Sequence, residues 1–199
     1  MPRMRSADRR RQLLEVAADL FARLGYRGTT TAELAKAAGI TEPILYRHFD
    51  NKLDLFVTLV DEVGREVIIG WQDALDGVID PAKRLEVLLA NNPATHEKGK
   101  GVYRVIFQAM TEVEGDPDIA RALRKHLSKL HQFIKDELAS LQKAGAVRRD
   151  ELAADLAWLL INIAVGYGMT SPMGIGGAAG VGGRKSGMER LITDLVTPD

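Results

Sequence analysis

The chain has 199 residues, enough for one large domain or for a small domain joined to a medium one. Its composition, 46% hydrophobic and 27% charged, is that of an ordinary soluble globular protein, and the absence of cysteine excludes a disulfide scaffold, a thiolate metal site and a cysteine nucleophile. The formal net charge of zero hides a division: residues 1–55 carry ten Lys/Arg against seven Asp/Glu, and residues 56–199 carry 17 against 20. A basic head on an acidic remainder suits a protein whose first part neutralises phosphates.

Residues 1–8 read as a loose tail. With Arg3, Arg5, Arg9, Arg10 and Arg11 the start is basic, and such an arm either reaches phosphates or the minor groove or is a solvated terminus. It has no sustained apolar segment of the kind a secretory signal needs. From 8 to 24, Leu13, Leu14, Ala17, Leu20, Phe21 and Leu24 recur at helical spacing, and Gly25 closes the helix.

Residues 30–56 carry the densest punctuation. Thr30 with Glu33 three residues on is a capping box, Leu34, Ala35 and Ala38 give one apolar face, and Gly39 sits where a helix C-cap tolerates positive φ. A second helix starts at once: Thr41 as cap, Glu42 at the positive end of the helix dipole, Pro43 in the first turn, then Ile44, Leu45, Tyr46 and Phe49, ending near 50–51. Helix, glycine turn, helix is the outline of a helix-turn-helix or of an ordinary αα-corner. The cluster of Tyr46, Arg47, His48 and Lys52 at one helix end favours the former, whose second helix enters the major groove by its N-terminal residues. Phe21, Leu34, Ala38, Leu45 and Phe49 are the expected core of this head.

Asn51 caps a fourth helix running to about 74, with Leu53, Phe56, Val57, Val60, Val63 and Val67 as its stripe. Asp80 and Pro81 start another through Leu89, with Leu85 and Leu88 inward. Residues 91–101 read as a polar, glycine-containing loop and 102–113 as a helix. After the break at 115–117, residues 118–143 form the longest pattern, carrying Ile119, Leu123, Leu127, Leu130, Ile134, Leu138 and Leu141. The next helix, from 150 or 151, is apolar nearly all round, so a second copy of the chain is expected to cover part of it. Its 156–169 segment contains Asn162 and two glycines and is too short to span a membrane, so no membrane is expected and the location is expected to be the cytoplasm. The glycine-rich stretch 171–187 cannot hold a stable helix; the last helix opens at 186–189 with Leu191, Ile192 and Leu195 inward. No alternating strand pattern is seen, so the fold class is all-α.

The strings AKAAGIT (35–41), LYRHF (45–49) and NKLDL (51–55) resemble the signature of the TetR family of transcriptional repressors. The resemblance covers roughly residues 10 to 60. It implies an all-α homodimer with an N-terminal three-helix, homeodomain-like helix-turn-helix DNA-binding domain (1–51) and a C-terminal helical ligand-sensing and dimerisation domain (52–199). It further implies dimerisation through the last two long helices, a double-stranded DNA operator as partner and a small-molecule effector. Tyr46 and Lys52 match the family's phosphate-contacting positions. From their placement, Thr30, Thr41, Glu42, Pro43, Arg47 and His48 complete the expected DNA-binding set. Arg47 either reads guanine or contacts phosphate, His48 either reaches phosphate or is simply exposed, and Glu42 repels phosphates unless it accepts from a cytosine amino group.

In the body, Tyr103, Phe107, Met110, Trp158 and Asn162 are either core or the lining of a pocket for a small, largely apolar ligand. No metal and no cofactor is expected: His126 and His131 lie five apart, off one helix face, and neither a phosphate-loop nor a serine-hydrolase pattern occurs. The expected function is therefore non-enzymatic, a ligand-released repressor. The alternative is a helical ligand-binding or protein-interaction module with a vestigial DNA-binding head.

Overall fold

The computed structural model describes residues 5–91, 97–170 and 187–198, and every regular element among them is a helix. In order these are α1 (Ser6–Gly28), α2 (Thr31–Ala37), α3 (Glu42–Leu45), α4 (Lys52–Leu75), α5 (Pro81–Ala90), α6 (Glu97–Met110), α7 (Pro117–Ala144), α8 (Ala153–Thr170) and α9 (Gly187–Val196). They form two compact units, Met1–Val63 with Gly101–His126, and Gly64–Lys100 with Leu127–Asp199. Helices α4, α6 and α7 contribute residues to both.

In the first unit, α1 buries Leu13, Ala17, Leu20 and Phe21. Against them lie Leu34, Ala35, Ala38, Leu45 and Phe49 of the helix-turn-helix and Leu55 and Phe56 of α4, all buried. The five side chains expected in this core are there. Phe21 and Tyr26 both meet Phe56 edge-on, at 5.2 and 5.0 Å between ring centroids. Burial of a side chain of this size contributes roughly 1.5–3 kcal/mol, and the short helices α2 and α3 cannot stand without it. The regular run of α1 is interrupted at Gly25, whose φ of 75° only glycine adopts readily, and the buried Thr29 donates its hydroxyl to the Gly25 carbonyl at 2.8 Å. Helix α6 and the start of α7 complete the unit with Val105, Ile106, Ile119 and Leu123 buried. They are fastened to the head by polar contacts that the sequence did not announce. The Gln108 amide donates to the Ala22 carbonyl at 3.0 Å, Arg27 pairs with Glu112 at 2.6 Å, and Lys125 pairs with Asp61 at 2.6 Å.

In the second unit, Leu130, Ile134, Leu138 and Leu141 continue the inward face of α7, and Phe133 stacks on Trp71 at 5.6 Å. Helix α5 is capped by Asp80, whose carboxylate accepts from the Lys83 amide at 2.8 Å, and buries Leu85 and Leu88. Arg84 grips Glu137 with two bonds, 2.8 and 2.9 Å, and donates to the terminal carbonyls of the preceding turn at Leu75 (2.9 Å) and Val78 (3.2 Å). The amide of Arg148 donates to the Val196 carbonyl at 2.9 Å, tying the segment after α7 to α9.

Several expectations are corrected. The buried stripe of α4 includes Leu55, Leu59, Trp71 and Leu75, while Leu53, Val57 and Val67 are only half-buried; Leu55 and Leu59 belong to the part of α4 that lies in the head's unit. Residues 97–101, read as loop, are already helical in α6; residues 92–96 lie outside the described residues. Helix α8 starts at Ala153 and leaves Leu152 70% exposed. It is 18 residues long with a mean hydropathy of 1.3, apolar and long enough to cross a membrane by length and composition, which the sequence reading denied it. Its Leu156, Ala157, Leu160, Ile161 and Gly168 are buried within the chain. In α9 the inward residue is Val196, whereas Leu191 and Leu195 are exposed, since the helix docks through its C-terminal end. Of the glycine-rich stretch, residues 171–186 lie outside the described residues.

Replacing Arg84 by Met keeps the aliphatic stem but strands the Glu137 carboxylate and two helix-end carbonyls. Charge-assisted bonds of this kind contribute about 1.5–3 kcal/mol, so Arg84→Met should lower the unfolding free energy by about 2 kcal/mol in urea titrations at fixed protein concentration.

Candidate nucleic-acid interface

The head's second and third helices are placed by their ends. Thr30 and Glu33 form the full capping box: the Glu33 amide donates to Thr30 Oγ1, and the Thr30 amide donates to the Glu33 carboxylate at 2.8 Å. The Thr30 amide and then its hydroxyl, both donating to the carboxylate, hold the Glu33 carboxyl below its ordinary range. At the other end Gly39 takes φ 67°, and the Ile40 amide returns to the Ala35 carbonyl at 3.0 Å, which turns the chain sharply into α3. Thr41 occupies the N-cap of α3 with extended backbone, but its hydroxyl makes no cap bond and the residue is exposed.

Helix α3 is regular for only four residues, 42–45, and does not run to 50–51 as expected. Beyond Leu45 the amides of Arg47 and His48 bond three residues back, to Ile44 and Leu45, so the helix tightens as Phe49 turns into the core. Its outer surface consists of Thr41, Pro43, Ile44, Tyr46 and Arg47, all exposed, with Glu42 and His48 half-buried at the edges.

Three side-chain ties hold this short element. First, Tyr46 Oη donates to Thr31 Oγ1 at 3.3 Å, and Thr31 Oγ1 donates to Glu42 Oε2 at 2.6 Å, linking the start of α2 to both ends of α3. Second, Arg10 of α1 donates to the His48 carbonyl, lies 4.2 Å from the Phe49 ring centroid and reaches Thr58 Oγ1 at 3.5 Å. Arg10 is therefore a brace inside the head and not part of a basic arm; Arg3 lies outside the described residues, Arg5 pairs with Asp8 and Arg11 with Glu15. Third, Lys52 Nζ donates to the carbonyls of Tyr26 and Thr29, each at 2.9 Å, and sits 4.5 Å from the Tyr26 ring centroid. Burial pulls the Lys52 ammonium below its usual range, against the attraction of nearby Glu112. Two of its three donors thus point inward, clasping the α1–α2 connection to the start of α4. Thr30 is similarly engaged, its hydroxyl serving Glu33.

The body residues fall into two groups, each within its own unit. On α6, Tyr103 is buried with its hydroxyl 3.2 Å from His126 Nε2 and its ring 5.7 Å from Phe107; Phe107 and Met110 are half-buried. Burial drives the Tyr103 phenol well above its ordinary pKa. His126, weighed in sequence only as a metal ligand, is the partner of this phenol. On α8, Trp158 is 40% exposed and stacks on His131 at 4.6 Å, and Asn162, read as an amide inside an apolar helix, is exposed.

A small aromatic core that presents one short, solvent-facing helix after a glycine turn is the build of a helix-turn-helix DNA-binding domain. Residues 13–59 match the family described as bacterial regulatory proteins, tetR family. The nucleoid occlusion factor SlmA of Aliivibrio fischeri is 32% identical over 145 residues, covering 72% of this chain and 71% of that protein. The HTH-type transcriptional activator FasR of Mycolicibacterium smegmatis is 29% identical over 117 residues, and the chain spans 52% of its length. A putative transcriptional regulator from Saccharomonospora viridis, solved in complex with choline, superposes with a TM-score of 0.79 at 22% identity, over 98% of this chain and 100% of that one. The chain belongs to the TetR family, a family of DNA-binding regulators.

Lys52→Met should cost about 2–3 kcal/mol of stability, since it removes two charge-assisted bonds and leaves two carbonyls unmatched. Thermal melts of the variant against the parent protein check this; an unchanged melting point would mean that the ammonium is held there without stabilising the head.

Proposed function

We propose that the chain is a homodimeric repressor that acts in the cytoplasm, with 1–51 as DNA-binding domain and 52–199 as ligand-sensing and dimerisation domain. Two heads read the half-sites of a near-palindromic operator, and a small, largely apolar effector releases them. The observation that carries this reading is the division of the recognition helix: Leu45 and Phe49 are buried while Thr41, Pro43, Tyr46 and Arg47 face solvent. Arg47 is the residue suited to a bidentate grip on guanine. Tyr46, Thr30, His48 and Lys52 are assigned to the backbone; Lys52 has one ammonium proton left for a phosphate beyond the two it donates inward.

Dimerisation through the last two long helices, α7 and α8, is supported by the apolar side chains that α8 leaves on the surface of the single chain: Trp158, Leu159 and Met169. Effector sensing is assigned to Tyr103, Phe107 and Met110 on α6 and to Trp158 and Asn162 on α8. The choline bound to the Saccharomonospora viridis regulator supports a small-molecule role for a body of this fold. Coupling of effector to operator amounts to about 1–3 kcal/mol of differential affinity in systems of this kind.

The SlmA relationship favours a second reading, a nucleoid-occlusion role, because the similarity runs over 145 residues and so extends well beyond the head. Mapping bound sites across the chromosome separates the two. A few promoter sites, with transcription rising when the gene is deleted, support the repressor; many sites scattered without regard to promoters support nucleoid occlusion.

On a selected operator, Tyr46→Ala should weaken binding to all sequences alike, by about 1 kcal/mol or more, whereas Arg47→Ala should change which bases are preferred. An unaltered base preference in Arg47→Ala, measured on randomised operators, would reduce Arg47 to a phosphate contact.

A further inference from the structure

Thr31 was no part of the interface read from the sequence, yet it is the atom-level centre of it. A threonine hydroxyl has one proton to donate and lone pairs to accept. Here the proton goes to Glu42 Oε2 at 2.6 Å, and the oxygen receives the Tyr46 hydroxyl at 3.3 Å. The three groups therefore form a directed chain, phenol to hydroxyl to carboxylate, running across from α2 to α3. Thr31 is half-buried, as is Glu42, so the carboxylate is not a loose surface group. It is pinned at one oxygen on the rim of the recognition helix.

We propose that Thr31 is a positioning residue for base readout: by holding Glu42 Oε2 it aims the second carboxylate oxygen at the exocyclic amino group of a cytosine in the major groove. The proposal rests on the DNA-binding reading above. Its chemistry follows from what each partner offers. A carboxylate only accepts, so it repels phosphate oxygens and needs a donor. In the major groove cytosine presents its N4 amino group as a lone donor, whereas adenine sets its N6 donor beside the N7 acceptor, which opposes a second acceptor, and guanine offers two acceptors. A glutamate free to rotate about three side-chain bonds spreads over many positions; one anchored by Thr31 meets a single base position.

Randomised duplexes are selected with the full-length protein, with Glu42→Gln, with Thr31→Val, which keeps the shape and removes the hydroxyl, and with Thr31→Ser, which restores it. The parent protein is expected to require cytosine at one symmetric position in each half-site. Glu42→Gln should lose that requirement, and Thr31→Val should flatten it about tenfold at the same position, in line with the discrimination of one good base contact. The dependence of affinity on salt should not change, and Thr31→Ser should restore the preference. If Thr31→Val weakens every sequence alike with a shallower salt slope, Thr31 is a phosphate contact and the proposal fails. An unchanged preference in Thr31→Val or Glu42→Gln also overturns it, while the DNA reading stands. If the parent protein selects no sequence even at low salt, the DNA reading itself fails and takes this proposal with it.

Discussion

A helix of four regular residues has no stability of its own, because the nucleation cost of the first turn exceeds what a few hydrogen bonds return. Everything about this molecule's head answers that constraint. Phe21, Leu34, Leu45, Phe49 and Phe56 bury one side of the motif, and polar ties fix the rest: Arg10 to the His48 carbonyl, Thr31 to Glu42 and Tyr46, and Lys52 to the α1–α2 connection. The recognition surface is thus a property of the whole unit. The same unit includes α6 from Gly101 and the beginning of α7, and the bonds from Gln108 to Ala22 and from Arg27 to Glu112 link residues of the body's sequence to the first helix.

This arrangement revises what the charged residues of the head are for. Arg10 and Lys52 look like phosphate contacts by type and position, yet both spend donors on main-chain carbonyls that end or join helices. Such carbonyls are left over at helix ends and need partners. Glu42, an awkward charge on the helix proposed to face DNA, is held at one oxygen by a hydrogen bond from Thr31. Arg47 is left exposed on the outer side of α3, while Arg10 and Lys52 act as fasteners within the head.

How much of this was legible in the sequence follows from the range of each signal. Capping boxes, glycine turns and apolar periodicity are local, and they placed α2, the turn at Gly39, the start of α5 and the whole of α7 within a residue or two. The head core was readable for the same reason. Side-chain ties join positions 11, 38 or 86 residues apart, as in Thr31–Glu42, Arg10–His48 and Gln108–Ala22, and no local pattern encodes them. Exposure in α9 was misjudged because periodicity identifies an apolar face without saying what covers it, whereas the open apolar side chains of α8 leave room for the expected second copy. Leu191 and Leu195, expected inward, are open in the single chain. The candidate ligand residues were chosen by type, and type alone could not tell that Tyr103 is matched with His126 while Asn162 faces solvent.

The most direct measurement is selection of random genomic fragments by the full-length protein, followed by titration of the enriched fragments against salt. The account predicts a near-palindromic sequence whose two halves lie about 34–36 Å or a multiple of that apart, bound with an affinity that falls steeply as salt rises. A folded dimer that enriches no sequence at low salt would contradict it, and would leave the helix-turn-helix as a structural support for a body that acts without DNA.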